Sequence, residues 1–126
     1  MKVLIVDDVA ENLQLLSRIL HAEGHSVLTA ENGRQGVRLA NAEFPELILM
    51  DIEMPVMNGE DAMKILKADP ATANIQIVAC TGLALGGDKE MFLRNGFDGV
   101  IGKPVRLEEL LGMIEMVVGR QQGGRR

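Results

Sequence analysis

Five short, mainly apolar runs, separated by segments with helical periodicity, limit what this chain can fold into. The runs cover residues 3–6, 27–29, 47–50, 75–79 and 99–101. Short continuous apolar runs are typical of strands that are buried on both faces of a sheet. The sequence therefore predicts five buried strands, and the segments between them must supply the covering layers.

A helix is predicted after every strand. Leu13, Leu16 and Leu20 recur at helical spacing, and this first helix should end near Gly24. The other helices are predicted over residues 36–43, 59–68, 88–95 and 107–118, with a turn at residues 32–33 and Asn58 as the cap of the third helix. One face of the last helix should carry Leu107, Leu110, Leu111 and Ile114.

The alternation of strands and helices predicts the fold class. Five strand–helix pairs leave no room for antiparallel hairpins, so the strands should form a parallel sheet through helical crossovers. Helices then cover both faces, which makes this a doubly wound (βα)5 domain of the α/β class. Ligands of such sheets bind outside the carboxyl ends of the strands. Functional residues are therefore expected at that edge.

Composition excludes several classes of function. The 126 residues match one domain, and the formal net charge of −5 with dispersed charges disfavours a nucleic-acid-binding face. No apolar stretch approaches the roughly 18 residues of a membrane span. The single cysteine, Cys80, favours a reducing and therefore cytoplasmic location. We expect a folded domain over residues 1–118 and a flexible tail or linker over residues 119–126.

Polar residues follow four of the predicted strands at their carboxyl ends. Asp7 and Asp8 follow the first strand, Asp51 the third, Thr81 the fourth and Lys103 the fifth. If the strands lie side by side, the three carboxylates repel one another and raise one another's pKa. Mg²⁺ would remove this conflict, because it prefers carboxylate, water and phosphate oxygens as ligands.

The same residues suit phosphoryl transfer to a carboxylate. Carboxylates act as nucleophiles that form aspartyl-phosphates, and the phosphoryl oxygens then need neutralising groups. Lys103 supplies a cation and Thr81 supplies a hydroxyl donor. The set therefore predicts an acyl-phosphate site with Asp51 as the acceptor.

Five motifs together resemble the receiver domain of two-component response regulators, the CheY-like superfamily. They are Asp7-Asp8, Leu49-Met50-Asp51-Ile52-Glu53-Met54-Pro55, Asn58-Gly59, Thr81-Gly82 and Lys103-Pro104. Any one of these fragments is a weak signal, but the five in this order and at these spacings are highly specific. The resemblance covers residues 2 to about 118.

The resemblance implies a flavodoxin-like sheet of strand order 2-1-3-4-5 and a signalling module that is not an enzyme on outside substrates. It implies that Asp51 takes a phosphoryl group from the phosphohistidine of a sensor histidine kinase or a histidine phosphotransfer protein. Thr81 and Lys103 would bind the phosphoryl oxygens, and a downstream protein target would respond. The Lys103–Pro104 peptide is expected to be cis.

The resemblance also implies a Mg²⁺ site. Asp8, Asp51 and the backbone carbonyl of Glu53 would hold the ion, and Asp7 would reach it through water. One departure from the family concerns the position three residues before the lysine, where many receivers carry an aromatic residue and this chain has Val100. Output must then use other movements, and our hypothesis is that phosphorylation orders the loop that begins at Gly82 and includes Gly86 and Gly87.

Four alternative interpretations remain at the level of sequence: one for the acids, two for the function and one for the first helix. A lone aspartate after a strand is usually a helix cap, although three acids and a matched lysine argue against that reading. The alternatives to a phospho-accepting receiver are an Mg²⁺-dependent phosphatase with an aspartate nucleophile and a receiver-like domain that only binds proteins. The first helix, with Ala10, Glu11, Asn12 and Leu15, either docks the phosphodonor or is a plain amphipathic surface helix.

Overall fold

The computed structural model describes residues 1–82 and 87–124, with side chains through residue 119. The elements in chain order are β1 (Lys2–Val6), α1 (Ala10–Ala22), β2 (Ser26–Ala30), α2 (Gly33–Glu43), β3 (Leu47–Asp51), α3 (Gly59–Ala68), β4 (Gln76–Thr81), α4 (Gly87–Asn95), β5 (Gly99–Gly102) and α5 (Leu107–Gly124). The strands form one parallel sheet in the order β2-β1-β3-β4-β5. This confirms the predicted flavodoxin-like fold.

Apolar side chains of the central strands alternate between two buried layers. Leu4 and Val6 of β1 pack in one layer with side chains from α2, α3 and α4. Val3 and Ile5 of the same strand pack in the other layer with side chains from α1 and α5. Because full burial of such a side chain contributes roughly 1.5–3 kcal/mol, these two layers supply the main driving force for the fold.

Two asparagines cap helices, and one of them corrects a prediction. The Asn58 side chain accepts a hydrogen bond of 2.9 Å from the backbone N–H of Asp61, as expected for the cap of α3. The Asn32 side chain accepts one of 2.9 Å from the N–H of Gln35, and α2 begins at Gly33. The predicted turn at residues 32–33 is therefore wrong, because Asn32 acts as a helix cap.

The last helix differs from its prediction in its face and its length. Leu110, Ile114 and Val117 form its buried stripe, whereas Leu107, which was expected on this face, is 51% exposed. The helix continues to Gly124 and does not end near Val118. Arg120, Gln121 and Gln122 favour these extra turns, although Gly119, Gly123 and Gly124 disfavour them. The division into a domain and a tail stays a prediction.

Two further predictions concern residues that the structure does not describe. Gly86, part of the loop expected to respond to phosphorylation, lies outside the described residues, as do residues 125 and 126 of the expected tail. In the described ranges, no helix combines the length and the apolar character that crossing a membrane requires.

Candidate functional site

The strand register brings the predicted acids together. Val6 of β1 lies beside Met50 of β3, so Asp7 and Asp51 follow neighbouring positions at the carboxyl edge. Asp7 is 2% exposed and Asp51 is 6% exposed, whereas Asp8 is exposed to solvent. One carboxylate oxygen from each of the three aspartates lies within 4.8 Å of the others. The predicted convergence of three carboxylates is present in the structure.

Lys103 joins two of these carboxylates. Its Nζ lies 3.1 Å from Asp7 Oδ2 and 3.1 Å from Asp51 Oδ1. Its backbone N–H donates to the carbonyl of Thr81 at 2.9 Å, where β5 runs beside β4. The Lys103–Pro104 peptide is cis, as expected. The lysine that follows β5 therefore reaches across the sheet to the ends of β1 and β3.

Asp7 is held by groups from the start of α1. Its Oδ1 accepts from the backbone N–H of Val9 at 2.9 Å, and its Oδ2 accepts from the Asn12 side-chain amide at 3.2 Å. The Asp7 N–H donates to the carbonyl of Ala30 at 3.1 Å. The role of Asn12 in holding Asp7 was missed by the sequence reasoning. The signal available in the sequence for this role was an amide side chain in the first turn of the helix that follows the two acids.

Gly59 allows the chain to close tightly behind Asp51. Its N–H donates to the carbonyl of Ile52 at 3.0 Å. A Cβ at this position would collide with the carbonyl oxygen of Asp51 and would approach Ile52 Cα to 3.0 Å. The glycine of the Asn58-Gly59 motif is therefore required by this close approach.

Burial and nearby charges shift the pKa values of Asp51 and Lys103. Burial raises the pKa of the Asp51 carboxyl; Lys103 opposes this shift, and the charges of Asp7 and Asp8 add to it. Burial disfavours the charged Lys103 ammonium, but its hydrogen bonds to Asp7 and Asp51 outweigh that effect and raise its pKa. Lys103 is therefore a permanent cation at neutral pH beside a partly desolvated carboxylate.

The carboxylates of Asp8 and Asp51 open into a cleft of about 380 Å³ at the predicted edge of the sheet. Its lining residues are Asp8, Val9, Asp51, Glu53, Thr81, Gly82 and Lys103. Thr81 is 3% exposed, so β4 fixes its position firmly. Three convergent carboxylates, one of them open to solvent, form a hard oxygen donor set of the kind that Mg²⁺ prefers. The residues present therefore fit the metal that the resemblance implies.

A second cavity lies beside the site, between α1 and the connection from β5 to α5. Its volume is about 410 Å³, and its lining is mostly apolar, including Leu15, Leu16, Pro104 and Val105. Cys80 forms part of its inner wall, and burial raises the pKa of this thiol to about 12. The thiol stays protonated at neutral pH, so Cys80 is a buried and unreactive cysteine.

Comparison with known protein families identifies one match. The model of the response regulator receiver domain matches residues 3–115. Protein PilH of Pseudomonas aeruginosa is 40% identical over 117 residues, which cover 93% of this chain and 97% of PilH. The polar-differentiation response regulator DivK of Brucella anthropi is 32% identical over 117 residues, which cover 93% of this chain and 95% of DivK.

A solved structure shows the same fold with a metal in its cleft. The receiver domain of the sensor histidine kinase PA1611 from Pseudomonas aeruginosa is 30% identical and superimposes with a TM-score of 0.85. The match covers 94% of this chain and 97% of that domain, which carries a magnesium ion coordinated in its active-site cleft.

Proposed function

This chain belongs to the response regulator receiver domain family, and from that premise we propose that Asp51 accepts a phosphoryl group from the phosphohistidine of a partner protein. The observation that carries the proposal is the Lys103 ammonium, which lies 3.1 Å from both Asp7 and Asp51 at the edge of a cleft. This arrangement combines a nucleophilic carboxylate with a fixed cation for the phosphoryl oxygens.

The transfer step exchanges one bond to phosphorus for another. A carboxylate oxygen of Asp51 attacks the phosphorus, and the P–N bond to the donor imidazole breaks. The electron pair of that bond returns to the imidazole nitrogen, while the proton on the other ring nitrogen stays in place. The products are an aspartyl-phosphate and a neutral histidine. Lys103 then offsets the negative charge of the phosphoryl oxygens, and the Thr81 hydroxyl donates a hydrogen bond to them.

Asp8, Asp51 and the backbone carbonyl of Glu53 would hold Mg²⁺, with Asp7 contributing through water. When bound, the ion supplies positive charge that offsets the phosphoryl oxygens and the surrounding carboxylates. The structural support is that three of these groups converge and that Glu53 lines the same cleft.

The phosphodonor would be a sensor histidine kinase or a histidine phosphotransfer protein that docks on α1. Leu15 of this helix is 53% exposed and borders the apolar cavity beside the site. A partner side chain inserted there would bury apolar surface close to Asp51. Phosphorylation would then change contacts with a downstream protein, and the buried lone cysteine is consistent with a cytoplasmic location.

Phosphorylation from acetyl phosphate tests the proposed chemistry. Intact-mass analysis after incubation with acetyl phosphate and Mg²⁺ should show one added phosphoryl group. Asp51→Asn should abolish the adduct. Asp61→Asn, which changes an exposed acid on α3, should leave it in place.

This experiment, together with an assay of phosphate release from outside phosphate esters, separates the alternatives. Absence of any adduct on the wild-type chain would refute the proposal and would favour a domain that only binds proteins. Rapid turnover of outside phosphate esters, with Asp51 essential, would favour a phosphatase. An adduct that survives Asp51→Asn would place the acceptor elsewhere.

A further inference from the structure

Both oxygens of the Asp7 carboxylate accept hydrogen bonds, and one of them has two donors. Oδ1 accepts from the backbone N–H of Val9 at 2.9 Å. Oδ2 accepts from the Lys103 ammonium at 3.1 Å and from the Asn12 side-chain amide at 3.2 Å. Asp7 is 2% exposed, so an oxygen that lost its donors would gain no compensating contact with water. Oδ2 therefore holds a second donor in addition to the lysine.

The Lys103 side chain lies between the cleft and the apolar cavity beside it. It lines the cleft together with Asp51 and Thr81, and it lines the apolar cavity together with Asp7 and Asn12. Among the residues that the structure describes, Asp7 and Asn12 border the apolar cavity and are not part of the lining of the cleft. An ammonium that moves further into the cleft therefore moves away from Asp7.

Phosphoryl transfer to Asp51 changes what the Lys103 ammonium must contact. Before transfer it is shared equally, because Nζ lies 3.1 Å from Asp7 Oδ2 and 3.1 Å from Asp51 Oδ1. After transfer an Asp51 oxygen carries phosphorus, and the negative charge lies on the phosphoryl oxygens, further out in the cleft. The ammonium follows that charge, since electrostatic attraction falls with distance. Asp7 Oδ2 then loses its lysine donor.

Asn12 has the properties of a hydrogen-bond donor that stays in place during this change. Its position does not depend on Lys103, because it lies in the first turn of α1, where its backbone N–H donates to the carbonyl of Val9 at 3.1 Å. Its side-chain amide is neutral, so it donates to Asp7 without repelling the lysine. A carboxylate side chain could not donate, and a second ammonium would compete with Lys103. Asparagine is also a poor helix former, so helix propensity does not explain its presence.

We propose that Asn12 is a positioning residue that releases Lys103 from Asp7 during phosphoryl transfer, and this proposal rests on the proposed function. As the ammonium moves to the phosphoryl oxygens, the Asn12 amide remains the hydrogen-bond donor to Asp7 Oδ2. The buried carboxylate therefore keeps a donor on each oxygen before and after transfer. Asn12 acts through Asp7 and Lys103 and not on the phosphoryl group itself.

Rates of phosphorylation by acetyl phosphate and Mg²⁺ test this inference. Asn12→Leu removes the amide at similar side-chain size, and the apolar cavity beside it accommodates the leucine. We expect the maximal rate to fall about fivefold to tenfold, which corresponds to the loss of one neutral hydrogen bond. The KM for acetyl phosphate should stay within about twofold of wild type, because acetyl phosphate binds while Lys103 still contacts Asp7.

Two affinities distinguish this role from a merely structural one. In the unphosphorylated chain Lys103 still donates to Asp7, so Asn12→Leu should leave the Mg²⁺ concentration at half-maximal thermal stabilisation within about twofold of wild type. Beryllium fluoride, a mimic of the phosphoryl group, should bind the variant about fivefold to tenfold more weakly in the presence of Mg²⁺. NMR titration of the Lys103 side-chain signals measures this second affinity. Equal loss of both affinities would show that Asn12 only shapes the site and would overturn the inference.

Further variants provide the rescue and the control. Asn12→Gln keeps an amide, and the cavity leaves room for its extra methylene group, so this variant should recover most of the lost rate. Gln14→Leu removes an exposed amide from the same helix and should leave the rate and both affinities unchanged. If Asn12→Leu does not fold, Asn12→Ala replaces it, because alanine is the best helix former.

The failures of the two proposals are distinguishable. An unchanged maximal rate in the variant that lacks the amide, or no recovery in Asn12→Gln, would contradict the role of Asn12. Failure of the wild-type chain to form an adduct with acetyl phosphate would instead refute the proposed function.

Discussion

At the scale of single residues, the proposed acceptor site is a balance between burial and charge. Asp51 is nearly buried and has two other carboxylates nearby, and Lys103 offsets part of the resulting penalty. Burial is the largest influence on the Asp51 carboxyl and raises its pKa. The charged form of this carboxyl group thus lowers the stability of the metal-free protein.

Asp51→Asn should stabilise the metal-free chain at neutral pH by about 1 kcal/mol, a typical size for a single-site change. In the wild type, the carboxyl with the raised pKa favours the folded state while it is protonated. That contribution is complete below the unfolded-state pKa and is lost as pH rises through the folded-state pKa. Urea unfolding in the presence of a chelator, from about pH 4 upward, should show this loss in the wild type and not in the variant.

An exposed carboxylate provides the control for that measurement. Asp61 lies in the first turn of α3, where a negative charge is favourable, so Asp61→Asn should lower stability slightly. A stability gain in Asp61→Asn equal to that in Asp51→Asn would show that net charge, and not the buried position of Asp51, is responsible.

Val100 occupies the position at which the family resemblance leads to the expectation of an aromatic residue. It is 3% exposed and packs in the core layer that contains Phe92 and Phe97. Those two rings meet edge to face with their centroids 5.9 Å apart. The position that holds an aromatic ring in many receivers is therefore filled by a small buried side chain in this protein.

At the scale of elements, one lysine connects three segments of the chain by hydrogen bonds. These segments lie at the end of the sheet opposite the cleft. Lys67 Nζ, near the end of α3, donates to the carbonyls of Ala73 and Ile75 and to Asp98 Oδ2. The same carboxylate oxygen accepts from the N–H of Ile77 at the start of β4. This network positions the connection from α3 to β4, and thereby β4 itself.

Lys67→Met should lower the free energy of unfolding by about 1–3 kcal/mol, because two carbonyls and the Asp98 carboxylate lose a charged donor. Denaturant unfolding gives this value directly. Lys64→Met is the matched control, since Lys64 lies on the exposed face of the same helix, and it should change stability by less than about 0.5 kcal/mol. Equal effects of the two substitutions would contradict a structural role for this network.

Where some helices begin and which faces they bury depends on contacts between distant parts of the chain, which a local sequence pattern does not reveal. The body of α3, including its Asn58 cap, was predicted correctly because its signals are local. Gly33 is predicted as part of a turn, whereas in the structure it begins α2 and its N–H donates to the carbonyl of Met57 on a distant loop. By its spacing, Leu107 belongs to the apolar stripe of α5. In the structure, however, this helix packs into the core through Leu110 and Ile114, and Leu107 is exposed.

At the scale of the whole molecule, binding of Mg²⁺ should couple the site to global stability. A ligand that binds only the folded state stabilises it by about 2.7 kcal/mol at a concentration 100 times its Kd. Thermal unfolding should therefore shift upward as Mg²⁺ is added to the chelated protein. Asp8→Asn removes an exposed carboxylate from the cluster and should greatly reduce that shift. An equal shift in the variant would contradict a role for Asp8 in holding the ion.

The sequence by itself determined the five strands, the helices between them and the polar residues at the strand ends. These follow from local spacing, burial pattern and capping chemistry, which lie within a few neighbouring residues. Only the tertiary structure decided that Lys103 bridges Asp7 and Asp51 and that Asn12 holds Asp7. Lys103 and Asp7 are 96 residues apart in the chain, and no local pattern specifies a contact that only the packing of the complete sheet brings about.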